Sequence, residues 1–515
     1  RGENLLVAAG AGSGKTTVLV QRILQYLRQG GNIERVLALT FTSAAAAEMR
    51  EKLDRAISAL AESEADNRHL REQLSLLPQA QISTIHSFCL DLIRRHYYRV
   101  GLDAGFRVAD EAEIALLENE ILLEILEAAY AEPQSGVAEL ADAYGGNRDD
   151  SGLIEVVLSL HRFCRSRPRS LEWLAQACAV FQGERLEQYP FAAAVRQRIQ
   201  ETLTRAMRRL QKEAELAAGL AKWRAVIDGE LAAVRRAAAA TDLAGQIDAL
   251  REIGFGRLCA SKDIAPAIKE QVKKERDAAK DLVKTLREKY AAQGATGQLA
   301  DLRALCQPLQ ALYRLVERFE AELMAEKRRR GWIDFADMEH LALGLLEEEE
   351  FSAELARSFD EILIDEYQDV NEVQEAILQR LSRGDNLFAV GDVKQSIYRF
   401  RLAEPRLFLG KYQDYGARQG GRRIDLNCNY RSKPPVIDAV NFLFRQLMRA
   451  DIAEIEYDGA AELKSAGDRD EAALALPEFY LIDLGGRGEP PPADDEEPPT
   501  AMEAEARLIA RRIRE

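Results

Sequence analysis

Asn4-Leu5-Leu6-Val7-Ala8-Ala9-Gly10-Ala11-Gly12-Ser13-Gly14-Lys15-Thr16-Thr17 is the stretch on which the fold turns. The apolar run Asn4–Ala9 suits a strand buried on both faces. Glycines at 10, 12 and 14 then permit a turn in which backbone N–H groups converge on phosphate oxygens at a helix N-terminus. Helical periodicity from Val18 to about Arg28 predicts the helix that follows. Strand, glycine-rich turn, Lys-Thr and helix form a phosphate-binding loop. In such a loop Lys15 reaches the β and γ phosphates, and the Thr16 hydroxyl takes Mg²⁺. Ala9, Gly10, Ala11, Gly12, Ser13, Gly14, Lys15, Thr16 and Thr17 are therefore the candidate nucleotide-binding residues, with Ala9 standing where the first glycine is usual.

Outward from this loop, Glu361-Ile362-Leu363-Ile364-Asp365-Glu366-Tyr367-Gln368-Asp369 reads as a short buried strand ending in two adjacent carboxylates. It delivers them to the carboxyl end of a strand, where open α/β sheets bind ligands. One carboxylate can hold Mg²⁺ and its neighbour can orient or deprotonate a water. Val36–Thr42 is a further strand, where Phe41 offers a stacking face for a base and small hydroxyl residues such as Thr42 suit a phosphate backbone. Gln81–Cys89 is a third strand-like run containing His86, where the lack of a convincing set of His and Cys partners at ligand spacing argues against metal binding. Asn386–Asp392 is another buried strand, and polar, basic and aromatic residues alternate from Val393 to Arg401. There Gln395 can reach a γ-phosphate, while Tyr398 and Phe400 offer faces for unpaired bases. Ile424–Ser432 follows, with Arg431 able to neutralise phosphate charge.

Between about Gly101 and Arg330 helical periodicity dominates, with long helices expected over Glu111–Ala131, Leu210–Ala239 and Lys269–Tyr290. This region reads as a helical insertion between halves of one α/β domain. Ala472–Leu484 reads as a strand of a new domain, Gly485–Thr500, with five prolines, as a linker, and Ala501–Glu515 as a helix.

The chain has 515 residues, enough for about two to four domains. Its composition, 47% hydrophobic and 30% charged, is that of an ordinary globular protein. A net charge of −15 argues against wholesale coating of nucleic acid but leaves room for a local basic track. Residues 386–433 supply one, with ten Lys/Arg against four Asp/Glu. Six cysteines without a Cys-x-x-Cys pair argue against zinc and iron–sulfur sites and fit a reducing cytosol. The chain starts at Arg1 in what is almost at once a strand, and it reads as a fragment.

In this order the motifs resemble those of superfamily 1 helicases of the UvrD/Rep type. Ala9–Thr16 resembles motif I, Thr40–Ala46 motif Ia, Ser83–Phe88 motif Ib and Trp332–Met338 motif Ic. Asp365–Asp369 is similar to motif II, Gly391–Arg401 to motif III and Leu426–Ser432 to motif IV. Within the group, Ser83–Cys89, Asp365–Asp369 and Val390–Arg401 most resemble the AddA-type helicase–nuclease components of AddAB recombination complexes. The resemblance implies an α/β fold: a RecA-like P-loop NTPase lobe of parallel sheet and flanking helices, a large all-helical insertion, and the beginning of a second RecA-like lobe. It implies lobe 1A at 1–100 and 331–465, subdomain 1B at 101–330, and the start of lobe 2A at 466–515. ATP and Mg²⁺ are the implied cofactors. Lys15 and Thr16 bind phosphate and metal, Asp365 holds metal, Glu366 is the general base, Gln395 senses the γ-phosphate and Arg431 neutralises it. Tyr430 stacks on adenine, and Phe41, Thr42, His86, Tyr398 and Phe400 are the implied DNA contacts. Single-stranded and duplex-end DNA, an AddB-like partner and a cytoplasmic location complete the expectation. Ser43 departs from the asparagine usual in the family, and the adenine-reading motif, motifs V and VI and a nuclease domain are expected outside residues 1–515.

Three other readings share parts of this pattern. A P-loop kinase or non-motor repair ATPase would use Lys15, Thr16 and Asp365 without needing the aromatic–basic stretch Tyr398–Arg401. A UvrD/RecB-type helicase without a nuclease would keep that stretch. A catalytically silent scaffold is disfavoured by intact Lys15, Asp365, Glu366 and Arg431.

Overall fold

The computed structural model describes residues 2–64, 67–132, 135–145, 149–259, 265–466, 477–482 and 500–514. They divide into two compact units. The first comprises residues 1–85, 356–370 and 382–515, and the second comprises residues 86–355 and 371–381.

Among the described residues the strands in chain order are β1 (Leu5–Ala9), β2 (Val36–Thr40), β3 (Gln81–Thr84), β4 (Arg107–Val108), β5 (Trp332–Ile333), β6 (Glu361–Ile364), β7 (Leu387–Gly391), β8 (Arg422–Leu426), β9 (Cys428–Asn429) and β10 (Lys464–Ser465). Six of them build the sheet of the first unit in the order β3-β2-β6-β7-β1-β8. Every pairing is parallel, with registers such as Leu5 opposite Phe388, Ala9 opposite Leu426 and Val36 opposite Glu361. The central strands β2, β6 and β7 are buried throughout, as strands covered on both faces must be. Because all six run the same way, their carboxyl ends form one edge, and the candidate motifs are delivered to it.

Helix α1 (Lys15–Arg28) buries Leu19, Val20, Ile23, Leu24 and Leu27, and α2 (Ser43–Ser63) buries Ala46, Met49, Leu53 and Ile57. Both stripes have the three- and four-residue spacing of one helix face. They join Leu70 of α3 (Arg68–Leu76) and the sheet residues Val7, Ala38, Leu363 and Val390 in one core. A bidentate pair from Arg22 to Glu361, at 3.0–3.1 Å, fastens α1 to the start of β6.

The second unit is built of helices, with one short parallel pair between β4 and β5. One core gathers Leu117, Ile121, Ile125, Leu153, Val157, Val316 and Phe319 from helices Glu111–Tyr130, Ser151–Arg165 and Cys306–Arg330. Another gathers Ile199, Leu203, Leu231, Val234, Ile247 and Val283 from helices Ala192–Leu216, Ala221–Ala239, Leu243–Glu252 and Pro266–Tyr290. The helix expected over Leu210–Ala239 is two helices, which break at Ala217–Leu220 and pack on each other. Gly219 sits in that break and lowers the cost of leaving the helix. The strand-like run to Cys89 ends at Thr84, and α4 (Ile85–His96) begins at once, so His86 lies on a helix. Most of Ala472–Leu484 and of Gly485–Thr500 lies outside the described residues, whereas Ala501–Arg514 is a helix, as expected.

Candidate nucleotide and single-strand site

After β1 the chain enters the glycine turn, where Gly12 and Gly14 take φ of +69° and +87°, a region that penalises any Cβ. Gly12 also faces a close neighbour: a Cβ there would lie 2.8 Å from the Asn429 amide and 2.9 Å from Arg431 Cβ. The Asn429 amide donates to Ala11 O at 2.7 Å, and its oxygen accepts from the N–H groups of Arg431 (2.9 Å) and Ser432 (2.8 Å). Tyr430 N–H donates to Gly12 O at 2.9 Å. The turn and the Asn429–Ser432 segment are therefore one clamped structure, with Tyr430 and Arg431 exposed beside it.

Lys15 opens α1 and extends toward β6. Its ammonium donates to Glu366 at 2.5 Å and to Gln395 at 3.5 Å. From there the polar contacts close into a ring. Gln395 donates to Asp392 at 2.9 Å, Asp392 N–H donates to Gln368 Oε1 at 2.8 Å, and Gln368 donates to Glu366 at 2.8 Å. Glu366 occupies the left-handed region at φ 51°, where a non-glycine residue is uncommon. That turn directly after β6 brings its carboxylate onto Lys15. Asp365 continues the ladder through an N–H bond to Leu39 O at 2.9 Å.

Charge compensation in this ring is incomplete. Burial and the adjacent Glu366 carboxylate push Asp365 up to about 6, against the pull of Lys15. Burial and Glu366 also push Asp369 up to about 6, against the Gln368 hydrogen bond and Lys15. Asp369 Oδ1 and the buried Ser13 Oγ lack hydrogen-bond partners. A buried hydroxyl in a glycine cradle and a carboxyl short of positive charge are the features that a phosphate and a divalent cation satisfy. The residues present fit a metal-bound nucleoside triphosphate, with Thr16 half-buried on the first turn of α1 beside Lys15.

A few residues farther along the same edge stands an aromatic group. Phe41, just past β2, lies 4.7 Å from Tyr398 between ring centroids, and Tyr398 lies 5.9 Å from Phe400. Arg401 covers both of the latter rings at 5.4 and 5.7 Å. Phe400 is 75% exposed, so it is not core packing. Aromatic rings in a row, Phe41 and Phe400 exposed and Tyr398 half-buried between them, with a guanidinium beside them, present surfaces on which unpaired bases stack. The Thr42 hydroxyl accepts from Ala45 N–H at 3.1 Å and caps α2, so local structure already engages it.

The structure brings Glu366 and Gln395 each into contact with Lys15 and groups Phe41, Tyr398 and Phe400. His86 belongs to the helical unit, where its Nε2 meets Glu339 at 2.9 Å and its ring meets Phe335 edge-on at 5.4 Å. Three residues of the ring and clamp escape a reading of the sequence: Gln368, Asp392 and Asn429. Each lies inside a quoted motif, but nothing in local sequence shows that an amide or carboxylate there ties one motif to another.

Residues 1–416 match the family described as UvrD/REP helicase N-terminal domain. Among curated proteins, the AddA component of the ATP-dependent helicase/nuclease of Geobacillus kaustophilus is 41% identical, covering 100% of this chain and 44% of the relative. Its counterparts from Alkaliphilus oremlandii and Moorella thermoacetica are 38% and 41% identical, each across 100% of this chain and over 44% and 42% of their own lengths. The chain thus spans less than half the length of these relatives. With the family match covering both phosphate-loop and acidic motifs, the chain belongs to the UvrD/REP helicase family.

Proposed function

We propose that this chain is the motor part of an AddA-like helicase–nuclease, an ATP-driven single-strand DNA translocase acting in double-strand break repair and recombination. The observation that carries the reading is the convergence of Glu366 and Gln395 on Lys15, at 2.5 and 3.5 Å, on the sheet edge that also carries the Phe41–Tyr398–Phe400 rings, of which Phe41 and Phe400 are exposed. Relatives whose names describe an ATP-dependent helicase/nuclease support it.

In this reading the glycine turn and Lys15 hold the triphosphate, while Thr16 and Asp365 hold Mg²⁺. Bound Mg²⁺ supplies charge neutralisation at the β and γ phosphoryl oxygens. Lys15 exchanges its contact with Glu366 for phosphate oxygens, which frees that carboxylate to take the proton of an attacking water. Gln395, already within reach of Lys15, reports the γ-phosphate to the segment that ends in Tyr398 and Phe400. Arg431, clamped to the turn through Asn429, neutralises developing charge. Tyr430 offers its exposed ring to adenine. Phe41, Tyr398 and Phe400 stack on bases, Thr42 lies against the phosphate backbone, and His86 adds a single-strand contact from the helical unit.

Residues 1–100 and 331–465 are assigned to lobe 1A, 101–330 to subdomain 1B and 466–515 to the start of lobe 2A. Duplex-end DNA, a partner protein of the AddB kind and a cytoplasmic location belong to the same reading. Among the described residues no helix is long and apolar enough to cross a membrane.

ATP hydrolysis by a chain extended through the complete second lobe, with and without oligothymidylate, tests the reading. Turnover should require Mg²⁺, rise with the oligonucleotide and disappear in Lys15→Ala. Turnover that ignores the oligonucleotide, with nucleotide bound at Lys15, would favour a non-motor repair ATPase.

A further inference from the structure

Glu339 is a buried carboxylate outside the phosphate site, on helix Phe335–Glu347, and three side chains from two other elements meet it. His86 Nε2, on the first turn of α4, lies 2.9 Å away. Gln374 donates to it at 2.7 Å and Asn371 at 3.1 Å. Asn371 also accepts from Gln374 N–H at 2.8 Å, so these two residues form the cap of helix Glu372–Leu381. In sequence that cap begins two residues after Asp369, the last carboxylate of the acidic motif. On the other side, the His86 ring stands edge-on to Phe335, which is 52% exposed. An ionised carboxylate only accepts hydrogen bonds, so all three partners must act as donors. Burial would raise its pKa, but the His86, Gln374 and Asn371 hydrogen bonds outweigh this and hold it below the usual carboxylate value. His86 therefore carries a proton on Nε2.

We propose that Glu339 is a positioning residue. It fixes the tautomer and orientation of His86 against Phe335, and so sets the geometry of a single-strand contact in the helical unit, and it ties that contact to the cap of the helix following the acidic motif. The proposal rests on the single-strand reading given above. Glu339 touches neither nucleotide nor DNA. An amide in its place would turn one donor-facing oxygen into a donor and break at least one of the three contacts.

The test is a double-mutant cycle on residues 1–515, using Glu339→Gln, His86→Ala and the pair, read as fluorescent oligothymidylate affinity. Nitrogen-15 spectra of the His86 ring are recorded in parallel. Glu339→Gln should weaken binding by about tenfold, the size of one charge-assisted hydrogen bond. It should add nothing in the His86→Ala background, and it should shift the His86 ring nitrogens, which a merely structural role would leave in place. Should Glu339→Gln unfold the helical unit, Glu339→Asp, which keeps the charge on a shorter arm, carries the same cycle. Additive losses, or unshifted His86 nitrogens, would overturn the proposal and leave the single-strand reading standing. Failure of the unaltered chain to bind oligothymidylate would overturn that reading and the proposal with it.

Discussion

Lys15 and Lys327 each sit between carboxylates, one in each unit. Lys327, on helix Cys306–Arg330, is 3% exposed; it pairs with Asp337 at 3.0 Å and also with Asp334. Asp337 accepts from Arg165 at 2.7 Å, and Arg165 pairs with Glu320 at 2.8 Å. His161 also meets Glu320, and His340 bonds the Arg165 carbonyl at 2.8 Å. In this cluster both Asp337 oxygens are engaged by cations. Burial and Asp334 push Asp337 up and His161 Nδ1 lacks a partner, yet every carboxylate oxygen of Asp334, Asp337 and Glu320 is engaged. Around Lys15, by contrast, buried oxygens of Asp369 and Ser13 lack partners, and two carboxyls are pushed up to about 6. The same residue types thus make a closed structural cluster in one place and an open, ligand-accepting one in the other. What distinguishes them is whether the protein alone completes the charge balance.

Four substitutions sharpen or break this contrast. In a chain extended through the complete second lobe, Glu366→Gln should have the largest effect, slowing ATP hydrolysis by about 10²–10⁴ while nucleotide binding persists. Turnover by the variant at the normal rate would remove Glu366 as the base. In the closed cluster, Asp337→Asn leaves Lys327 and Arg165 short of a counter-charge inside the protein. It should lower the stability of the helical unit by about 3–5 kcal/mol, read as amide exchange in helix Cys306–Arg330, because breaking a buried ion network strands its partners. Unchanged protection there would mean that the cluster contributes little.

Phe400→Ala should weaken oligonucleotide binding by about 1–3 kcal/mol on mixed sequences alike. Its exposure predicts a melting temperature that barely moves. A lower melting temperature with unchanged DNA affinity would return Phe400 to packing.

The smallest effect is expected at Glu213, a fully buried carboxyl of the helical unit whose two oxygens lack hydrogen-bond partners. Burial and the nearby Glu230 push it up to about 8, against Arg276 at 3.8 Å, with Asp277 adding to the rise. Its folded pKa lies above the unfolded one. The stability it contributes is therefore complete below about pH 4 and is lost as pH rises through about 8. Glu213→Gln should flatten that loss, leaving the variant about 1–2 kcal/mol more stable than the parent near pH 9. Parallel urea midpoints across this range would contradict a charged Glu213 without hydrogen-bond partners.

The phosphate loop and the acidic strand end are legible because their chemistry is compact in sequence. A glycine turn, Lys15 and Thr16 are contiguous, and Asp365-Glu366 closes an apolar run that can only be a strand. The parallel sheet follows from the same apolar runs. Contacts that join distant segments are not legible. Gln368, Asp392 and Asn429 act only where β6, β7 and the segment after β8 arrive at one edge. The Lys327–Asp337–Arg165 cluster joins two consecutive helices to Arg165, 172 residues before Asp337 in the chain. The two helices within Leu210–Ala239 carry a visible signal in Gly219, but alanines on both sides mask the break. His86 reads as part of a strand because Ile85, Phe88 and Cys89 are as suited to a strand as to the buried face of α4.

The central claim is that the open cluster around Lys15 is completed by a magnesium-bound nucleotide. Its most direct test is the melting temperature of this chain with Mg²⁺ and a slowly hydrolysed ATP analogue. A ligand at about one hundred times its Kd stabilises the folded state by about 2.7 kcal/mol. The account predicts such a rise for the unaltered chain and for Phe400→Ala, and none for Lys15→Ala. An equal rise in Lys15→Ala, or no rise in the unaltered chain, would contradict it.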